Sequence, residues 1–418
     1  RPRIACSIRS LIFHFSPPSM TTKSSIALLA AATAAIGTLL FISANKRPSY
    51  AYLRIDDQSR RLLSPHSPLL LAQFDDPKSS SSRLVSVSHS QKEGLTCLER
   101  RGQDGVWVPS EGYEYATPEW EPPNERHSGS DNDSFAPQTR WRWHDNASQC
   151  QIQMFTRKGF CNIMMHFQFR RIFFLGDSET FQMLRSFWQL MSTEGQPSII
   201  QIQTGNEEPS NWSGAETKYK SFSRELDCGD FTFEVVFQRS DNFRDFGTDF
   251  YHLNWLDPYV QNPAKTLLVA NTGMHIPDQD QYQYDLDQFV ETVQALDRPQ
   301  DMIVFRTSVP GHENCKDHQQ PLASSSDYHP TLYQWGSIFG YNQYAKQKLS
   351  NLGRSWLFLD VYPMTILRAD GHKRPNSDCL HYHLPGPPDW WNHLLYSNLQ
   401  DLATVGGDNT RDSISALT

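Results

Sequence analysis

The apolar run at residues 172–175 ends at Gly176-Asp177-Ser178, and a helical pattern begins at once over residues 179–191. An apolar run of this length predicts a buried strand. The serine hydroxyl is therefore expected at the carboxyl end of a strand, near the N-terminus of the next helix. Open α/β sheets bind ligands there, and helix amide groups favour negative charge there. The alternative is that Asp177 and Ser178 only cap the helix.

The rest of the chain continues this alternation of strands and helices. Further strands are predicted at 231–238, 266–270, 302–305 and 356–361, and further helices at 285–296, 331–352 and 390–402. Such alternation predicts an α/β fold with a largely parallel sheet and helices on both faces. We find no internal repeat, and one domain over about residues 93–405, followed by a polar tail at 406–418, fits the pattern best.

Charge and composition limit the classes of partner. Lys and Arg total 38 and Asp and Glu total 46, so the formal net charge is −8, and no basic run stands out. A nucleic-acid partner therefore has no electrostatic support. The 11 Trp, 16 Tyr and 24 Phe residues fill a core or stack on sugars, and composition does not separate those uses.

The N-terminal region predicts a membrane anchor and a linker. Residues 1–25 form a short tail in which Met20 is a candidate start, and residues 26–42 are apolar and uncharged. This segment is close to the roughly 20 residues that cross a bilayer, and we interpret it as a transmembrane signal-anchor. A cleaved signal peptide is the alternative. Residues 43–92 are rich in Ser, Pro and basic residues, which predicts a disordered stem.

Cysteines and glycosylation sequons all follow the apolar segment. The six cysteines beyond it are Cys97, Cys150, Cys161, Cys228, Cys315 and Cys379. None forms a C-x-x-C pair, and an even set scattered over a long domain predicts disulfides in an oxidising lumen. Unpaired buried thiols are the alternative. Glycosylation is predicted at the sequons of Asn132, Asn146 and Asn211. Together these features predict a lumenal or extracellular C-terminal region.

A nucleophilic serine needs a base, a group that orients the base, and donors for an oxyanion. Asp378 and His381 are three residues apart on a segment bounded by Pro and Gly. This spacing lets the carboxylate hold one imidazole nitrogen while the other faces Ser178. The Ser178 N–H and the side-chain amide of Asn271, which follows a predicted strand, are candidate oxyanion donors. Alternatively, the segment at Asn271 is only a turn.

Other histidines leave alternatives open. His275 and His312 are rival bases. A further alternative is that the segment at 376–386, which contains Asp378 and His381, is only a structural turn with surface histidines. A metal site formed by Cys379, His381 and His383 is a further alternative, but no matching second cluster of ligands is present in the sequence. We therefore predict no metal.

The motifs resemble the PC-esterase family, which includes the trichome-birefringence-like polysaccharide O-acetyltransferases, within the GDSL/SGNH superfamily. The most specific block is Asp378-Cys379-Leu380-His381-Tyr382, followed by Leu384-Pro385-Gly386-Pro387 and Asp389-Trp390-Trp391-Asn392. The other blocks are Gly176-Asp177-Ser178, Phe305-Arg306-Thr307 with His312 and Cys315, and Trp141-Arg142-Trp143 before Cys150. Together they span about residues 97–400.

The resemblance implies an SGNH-like (flavodoxin-like) lumenal domain on a single N-terminal anchor, usually in the Golgi. It implies that Ser178 is the nucleophile, His381 the base and Asp378 the group that orients it. We predict the oxyanion and substrate site at Gly176, Asp177 and Asn271, of which Asn271 is a looser match to the amide-bearing block of the superfamily. No cofactor is expected to stay bound. The acyl donor would be acetyl-CoA or another acetylated carrier, and the acceptor would be a glycan.

Two positions depart from the family pattern. The family often has Arg three residues after the serine, where this chain has Phe181, although Gln182 beside it fits related members. It also often has Cys two residues after the histidine, where this chain has His383. The second departure implies that one family disulfide is absent, and the first that donor or acceptor handling near Phe181 differs.

The leading hypothesis is therefore a membrane-anchored, lumenal O-acyltransferase that moves acetyl groups onto sugar hydroxyls. A carbohydrate esterase would use the same three residues with water as the acceptor, so the sequence does not separate the two enzymes. A catalytically silent glycan-binding or scaffold protein is the hypothesis from another class. The high aromatic content and the altered positions Phe181 and His383 are its support.

Overall fold

A computed structural model describes residues 97–113, 139–192, 221–244, 254–352 and 355–405. The predicted anchor and stem, the C-terminal tail, Asn132 and Asn211 lie outside these residues. Within the described ranges, no helix is long and apolar enough to cross a membrane.

The strands form one large sheet and two small antiparallel pairs. In chain order they are β1 (Gly105–Pro109), β2 (Trp141–Asp145), β3 (Arg171–Gly176), β4 (Ser221–Asp227), β5 (Thr232–Arg239), β6 (Thr266–Ala270), β7 (Met302–Arg306), β8 (Trp356–Leu359), β9 (His372–Arg374) and β10 (Asp378–Tyr382). β1 pairs with β2 and β9 with β10. The large sheet has the order β4-β5-β3-β6-β7-β8.

Five strands of the large sheet are parallel, and β4 runs antiparallel along the edge of β5. Numbered along the chain, the parallel strands lie in the order 2-1-3-4-5, which is the flavodoxin-like order. Its switch point lies between β3 and β6, where the first connections leave in opposite directions. The predicted α/β fold with a mostly parallel sheet is confirmed.

Helices cover both faces of this sheet. They are α1 (Arg157–His166), α2 (Ser178–Met191), α3 (Leu256–Gln261), α4 (Gln279–Ala295), α5 (Ile338–Leu349), α6 (Tyr362–Thr365) and α7 (Pro387–Val405). Because side chains alternate along a strand, Ile172 and Phe174 join one core cluster with α1, α2 and α7. Phe173 and Leu175 join the other, with α3, α4 and α5. The strand before Ser178 is thus buried on both sides.

Several predicted boundaries were wrong for local reasons. The helix predicted at 285–296 begins earlier, at Gln279, because the Asp278 side chain accepts from the Gln281 N–H and caps it. The helix predicted at 331–352 begins only at Ile338, after a 3₁₀ turn at Trp335–Ser337. β4 was not predicted because it is a largely exposed edge strand and carries no apolar period.

The six cysteines that follow the apolar segment form disulfides, as predicted. The alternative that they are unpaired buried thiols was therefore wrong. The pairs are Cys97–Cys150, Cys161–Cys228 and Cys315–Cys379. The third pair joins the loop after β7 to β10, the strand that carries Asp378 and His381. A covalent link therefore holds the β9–β10 hairpin against the main domain.

Candidate active site

The serine lies at the first residue of α2, directly after β3. Asp177 is the N-cap, and its Oδ1 accepts from the N–H groups of Glu179 at 2.9 Å and Thr180 at 3.3 Å. The capping alternative is therefore correct for Asp177. The Ser178 hydroxyl takes no part in the cap. The backbone N–H of Ser178 lies in the first turn of the helix and is a donor for a ligand.

Gly176 allows the strand to turn into the helix at this point. Its φ is +153°, and a Cβ atom there would clash with the Asn271 carbonyl oxygen and the Thr180 side chain. The main-chain atoms at the ends of β3 and β6 can approach closely only because this residue has no side chain. Gly176 thus acts through its backbone, next to the serine.

The structure brings Ser178, His381 and Asp378 together. His381 Nε2 lies 2.8 Å from Ser178 Oγ, and His381 Nδ1 lies 2.9 Å from Asp378 Oδ2. The ionised carboxylate can only accept, so Nδ1 donates to it and Nε2 is left to accept the hydroxyl proton. Ser178 is buried, whereas the histidine and aspartate side chains are 18% and 23% exposed. The site therefore opens on the side of the hairpin.

Asp378 is stabilised as a carboxylate. Burial opposes its ionisation, but the hydrogen bond and charge of His381 outweigh that effect. The N–H groups of Leu380 and His381 also donate to Asp378 Oδ1, at 3.2 and 3.1 Å. Together these contacts lower the pKa of Asp378 below its ordinary value. The charge that would stabilise an imidazolium is thus in place.

Gln182 holds the hairpin strand to the serine helix. Its Nε2 donates to the Tyr382 carbonyl at 2.7 Å, and its Oε1 accepts from the Tyr382 N–H at 3.1 Å. Gln182 lies four residues after Ser178, so both project from the same face of α2. From the sequence, Gln182 was distinguished only as a residue beside Phe181 that fits related family members. A polar residue one helical turn after the serine was the available signal.

Phe181, the departure from the family pattern, is a core residue. It is buried, and its ring centroid lies 5.1 Å from that of Phe237 on β5. The side chain that replaces the family arginine therefore packs in the interior.

Asn271 has another role than the predicted one. Its Nδ2 donates to the Arg306 carbonyl and to Ser308 Oγ, both at 2.9 Å, and its Oδ1 accepts from the Arg306 guanidinium at 2.6 Å. Both amide hydrogens are engaged, so this arrangement leaves none for an oxyanion. The side chain is fully buried and ties the ends of β6 and β7 together.

The buried Glu179 carboxyl group lies near the Arg306 guanidinium beneath the serine turn. Glu179 Oε2 is 3.7 Å from an Arg306 nitrogen, and both side chains are fully buried. Burial and the nearby Asp177 raise the pKa of Glu179 well above its ordinary value, and Arg306 opposes that rise. The guanidinium carbon also lies 4.7 Å from the centroid of the Trp391 ring in α7. Arg306 thus connects the first turn of α2 to β6, β7 and α7.

Within the described residues, neither rival base is hydrogen-bonded to the serine. His312 is buried, with Nδ1 2.8 Å from His372 Nε2 and Nε2 2.7 Å from the Ile366 carbonyl. Burial lowers the pKa of His312 to about 4. His275 Nε2 lies 3.7 Å from Asp241. Both positions support the assignment of His381 as the partner of Ser178.

The alternative metal site lacks a free thiolate, because Cys379 is bonded to Cys315. His383, its third proposed ligand, is buried, and its Nδ1 lies 3.1 Å from the Pro385 carbonyl.

Of the three predicted glycosylation sequons, that of Asn146 lies within the described residues. Asn146 is exposed and donates to Asp104 at 2.8 Å, and its glycosylation stays a prediction.

The α/β fold with a mostly parallel sheet, and a serine at the turn from β3 into α2, are consistent with an SGNH-like protein. Residues 255–398 match the PC-Esterase family, described as a GDSL/SGNH-like acyl-esterase family found in Pmr5 and Cas1p. The matched range contains Asp378 and His381 but not Ser178. The resemblance to the PC-esterase family that the sequence predicts is confirmed.

Three curated proteins of Arabidopsis thaliana illustrate the similarity. Protein trichome berefringence-like 7 is 31% identical over 130 residues, 29% of this chain and 28% of that protein. Protein trichome birefringence-like 39 is 28% identical over 114 residues, 25% of this chain and 31% of that protein. Protein trichome birefringence-like 38 is 34% identical over 92 residues, 21% of this chain and 22% of that protein. The alignments thus span less than a third of these relatives.

Proposed function

We propose that this protein is a serine O-acyltransferase that moves an acetyl group onto a hydroxyl of a polysaccharide or glycan. The observation that carries the proposal is the pair of contacts from His381, 2.8 Å to Ser178 Oγ and 2.9 Å to Asp378 Oδ2. Such an arrangement makes a hydroxyl nucleophilic, because the base removes its proton as the new bond forms.

In the first half of the reaction, Ser178 Oγ attacks the carbonyl carbon of the acyl donor. The hydroxyl proton passes to His381 Nε2, and Asp378 stabilises the imidazolium. The Ser178 N–H donates to the oxyanion of the tetrahedral intermediate. The intermediate collapses when the bond to the leaving group breaks, and that group takes the proton from His381. The product is an acetyl ester on Ser178.

In the second half, a sugar hydroxyl attacks the acetyl carbonyl carbon and gives its proton to His381. The bond to Ser178 Oγ breaks, Oγ recovers the proton, and the acetylated sugar leaves. The balance is one acetyl group moved from the donor to the sugar and one proton moved from the sugar to the leaving group. We propose acetyl-CoA or another acetylated carrier as the donor.

The proposed location is the lumen of the Golgi or another secretory compartment, with residues 26–42 as the anchor. Three disulfides support an oxidising compartment, since such bonds are rare where thiols are kept reduced.

An esterase is the second candidate, and the description of the matched family as acyl-esterases favours it. The same residues would act, with water in place of the sugar hydroxyl. The silent glycan-binding protein is the weaker reading, because a binding protein has no need for a serine, histidine and aspartate in mutual contact.

The test uses the full chain with acetyl-labelled acetyl-CoA and a panel of neutral and acidic polysaccharides. We expect label on a polysaccharide with the wild type and none with Ser178→Ala. Ser350→Ala, an exposed serine at the end of α5, is the matched control and should behave as wild type. Release of free acetate without labelled polysaccharide would favour the esterase. Undiminished labelling by Ser178→Ala would overturn the proposed nucleophile.

A further inference from the structure

A groove of about 640 Å³ lies beside the candidate triad. One wall is the segment 375–380, which includes Asp378. The other is the turn at 332–335, and His275, Glu313 and Asn314 also line the groove. Because Asp378 forms part of the wall, whatever fills the groove lies next to the strand that carries His381.

Tyr333 is a bulky residue of this groove that combines high exposure with an uncommon backbone conformation. Its side chain is 80% exposed, and its φ is +53°. A bulky residue in the left-handed region is uncommon and costs energy, and such residues cluster at functional sites. Its ring centroid lies 5.0 Å from that of the buried Trp335, at an interplanar angle of 47°. An aromatic ring is thus presented to solvent on a supported turn.

Polar contacts hold this turn on both sides of Tyr333. Before it, the Glu313 carboxylate accepts from the N–H groups of Thr331 and Leu332 and from Thr331 Oγ1. These bonds lower the pKa of Glu313. After it, the Gln334 side chain donates to the Met274 carbonyl. The ring is therefore positioned before any ligand arrives, which reduces the entropy lost on binding.

A disulfide connects the two walls. Glu313 is two residues from Cys315, and Cys315 is bonded to Cys379, the neighbour of Asp378. Gly311 packs between the Trp335 ring of one wall and the Cys379 carbonyl of the other. A Cβ atom at this position would clash with both. The wall with Tyr333 and the wall with Asp378 are thus held at a set distance from one another.

The charges around the groove indicate what it accepts. Its described lining contains two carboxylates, Glu313 and Asp378, but neither Lys nor Arg, and His275 is its one titratable base. The remaining polar groups are neutral amides and a hydroxyl, at Asn314, Gln334, Asn376 and Ser377. A ligand with a carboxylate on each ring would meet like charge here without a compensating cation, which is unfavourable.

We propose that this groove is the acceptor subsite and that Tyr333 stacks on a neutral sugar ring, so that the enzyme selects neutral glycans over polyuronates. This inference rests on the proposed acyl transfer for its biological meaning. The binding itself is independent of that chemistry and is measured without an acyl donor.

The test is a calorimetric titration of the full chain with cellohexaose, xylohexaose, mannohexaose and hexagalacturonate at low and physiological salt. We expect at least one neutral hexaose to bind, and Tyr333→Ala to weaken its binding about 10-fold or more, the order of effect that loss of a stacking aromatic ring has on the binding of a nucleic-acid base. Tyr333→Phe should retain the binding. Tyr284→Ala, which removes a 52% exposed tyrosine on α4 outside the groove, should bind as wild type.

Three results would overturn the inference. They are unchanged affinity in Tyr333→Ala, tighter binding of hexagalacturonate than of every neutral hexaose, and no binding of any neutral hexaose. Hydrolysis of 4-nitrophenyl acetate by the wild type and Ser178→Ala tests the proposed function separately, because that ester carries no sugar. Equal rates would remove the serine mechanism, while the titration would still decide the groove.

Discussion

The serine turn and the β9–β10 hairpin supply the two halves of the candidate site, and they are held in different ways. Ser178 follows a central strand, and Gly176 through Thr180 are buried. The hairpin forms a sheet of its own with an irregular register, and Asp378 and His381 are partly exposed. The core positions the first half, whereas the Cys315–Cys379 disulfide and Gln182 position the second. Equivalent substitutions should therefore have different effects in the two halves.

The largest contrast is expected between two carboxylates. Asp378→Asn should lower acyl transfer about 10³-fold or more, because the amide no longer holds the required tautomer or stabilises the imidazolium. Glu179→Gln should stay within about threefold of wild type, because its buried environment already favours the uncharged form. Steady-state rates on one acceptor make the comparison. A larger loss in Glu179→Gln would mean that the buried pair, rather than the hairpin, controls the chemistry.

The disulfides allow a matched comparison of similar loops. Cys315–Cys379 spans 64 residues and Cys161–Cys228 spans 67, so replacing either pair by serines should cost about 4 kcal/mol of unfolding free energy. Only loss of Cys315–Cys379 should also reduce activity, by about 10-fold or more, because of these two disulfides it is the one attached to the hairpin. Denaturant unfolding and rates measured where both variants are folded separate the effects. Equal activity losses would contradict the division into two halves.

Gln182 should matter less than the disulfide but more than its neighbours. Gln182→Leu leaves the Tyr382 N–H and carbonyl without partners, so we expect a loss of about 10-fold to 100-fold in kcat, with a modest loss of stability. Gln189→Leu is the control, because that buried glutamine on the same helix makes no side-chain hydrogen bond within the described residues. Equal rates for the two variants would show that the hydrogen bonds between Gln182 and Tyr382 do not position His381.

The smallest expected effect is on the pH dependence of stability, where the two halves have opposite signs. The raised pKa of Glu179 means that the folded protein binds this proton more tightly, so its contribution is lost as the pH rises above about 4.3. The lowered pKa of Asp378 gives a contribution that is present above about 3.9 and lost as the pH falls further. Each slope is at most about 1.4 kcal/mol per pH unit.

Urea unfolding of the wild type, Glu179→Gln and Asp378→Asn between pH 3 and 8 measures these slopes. Relative to wild type, Glu179→Gln should gain stability as the pH rises, and Asp378→Asn should lose it. Slopes of the same sign for both variants would contradict the electrostatic contrast.

Much of the fold was predictable, because apolar periodicity reports local structure directly. The strand at Thr266–Ala270 has the predicted bounds, and α2 begins one residue before the predicted helix. The hairpin at β9–β10 was expected only as a turn, because its short strands carry polar residues and no apolar alternation. The turn with Tyr333 was taken for helix, because its residues continue a helical pattern that tertiary contacts override.

The sequence by itself determined that a serine follows a buried strand and that an aspartate and a histidine lie three residues apart some 200 residues later. Apolar spacing and residue chemistry are local properties, so both statements could be made without coordinates. Only the tertiary structure decided that these groups meet, that Asn271 uses its amide inside the core, and that Gln182 joins the two halves. Hydrogen bonds form over about 3 Å, and the packing of distant segments sets distances on that scale.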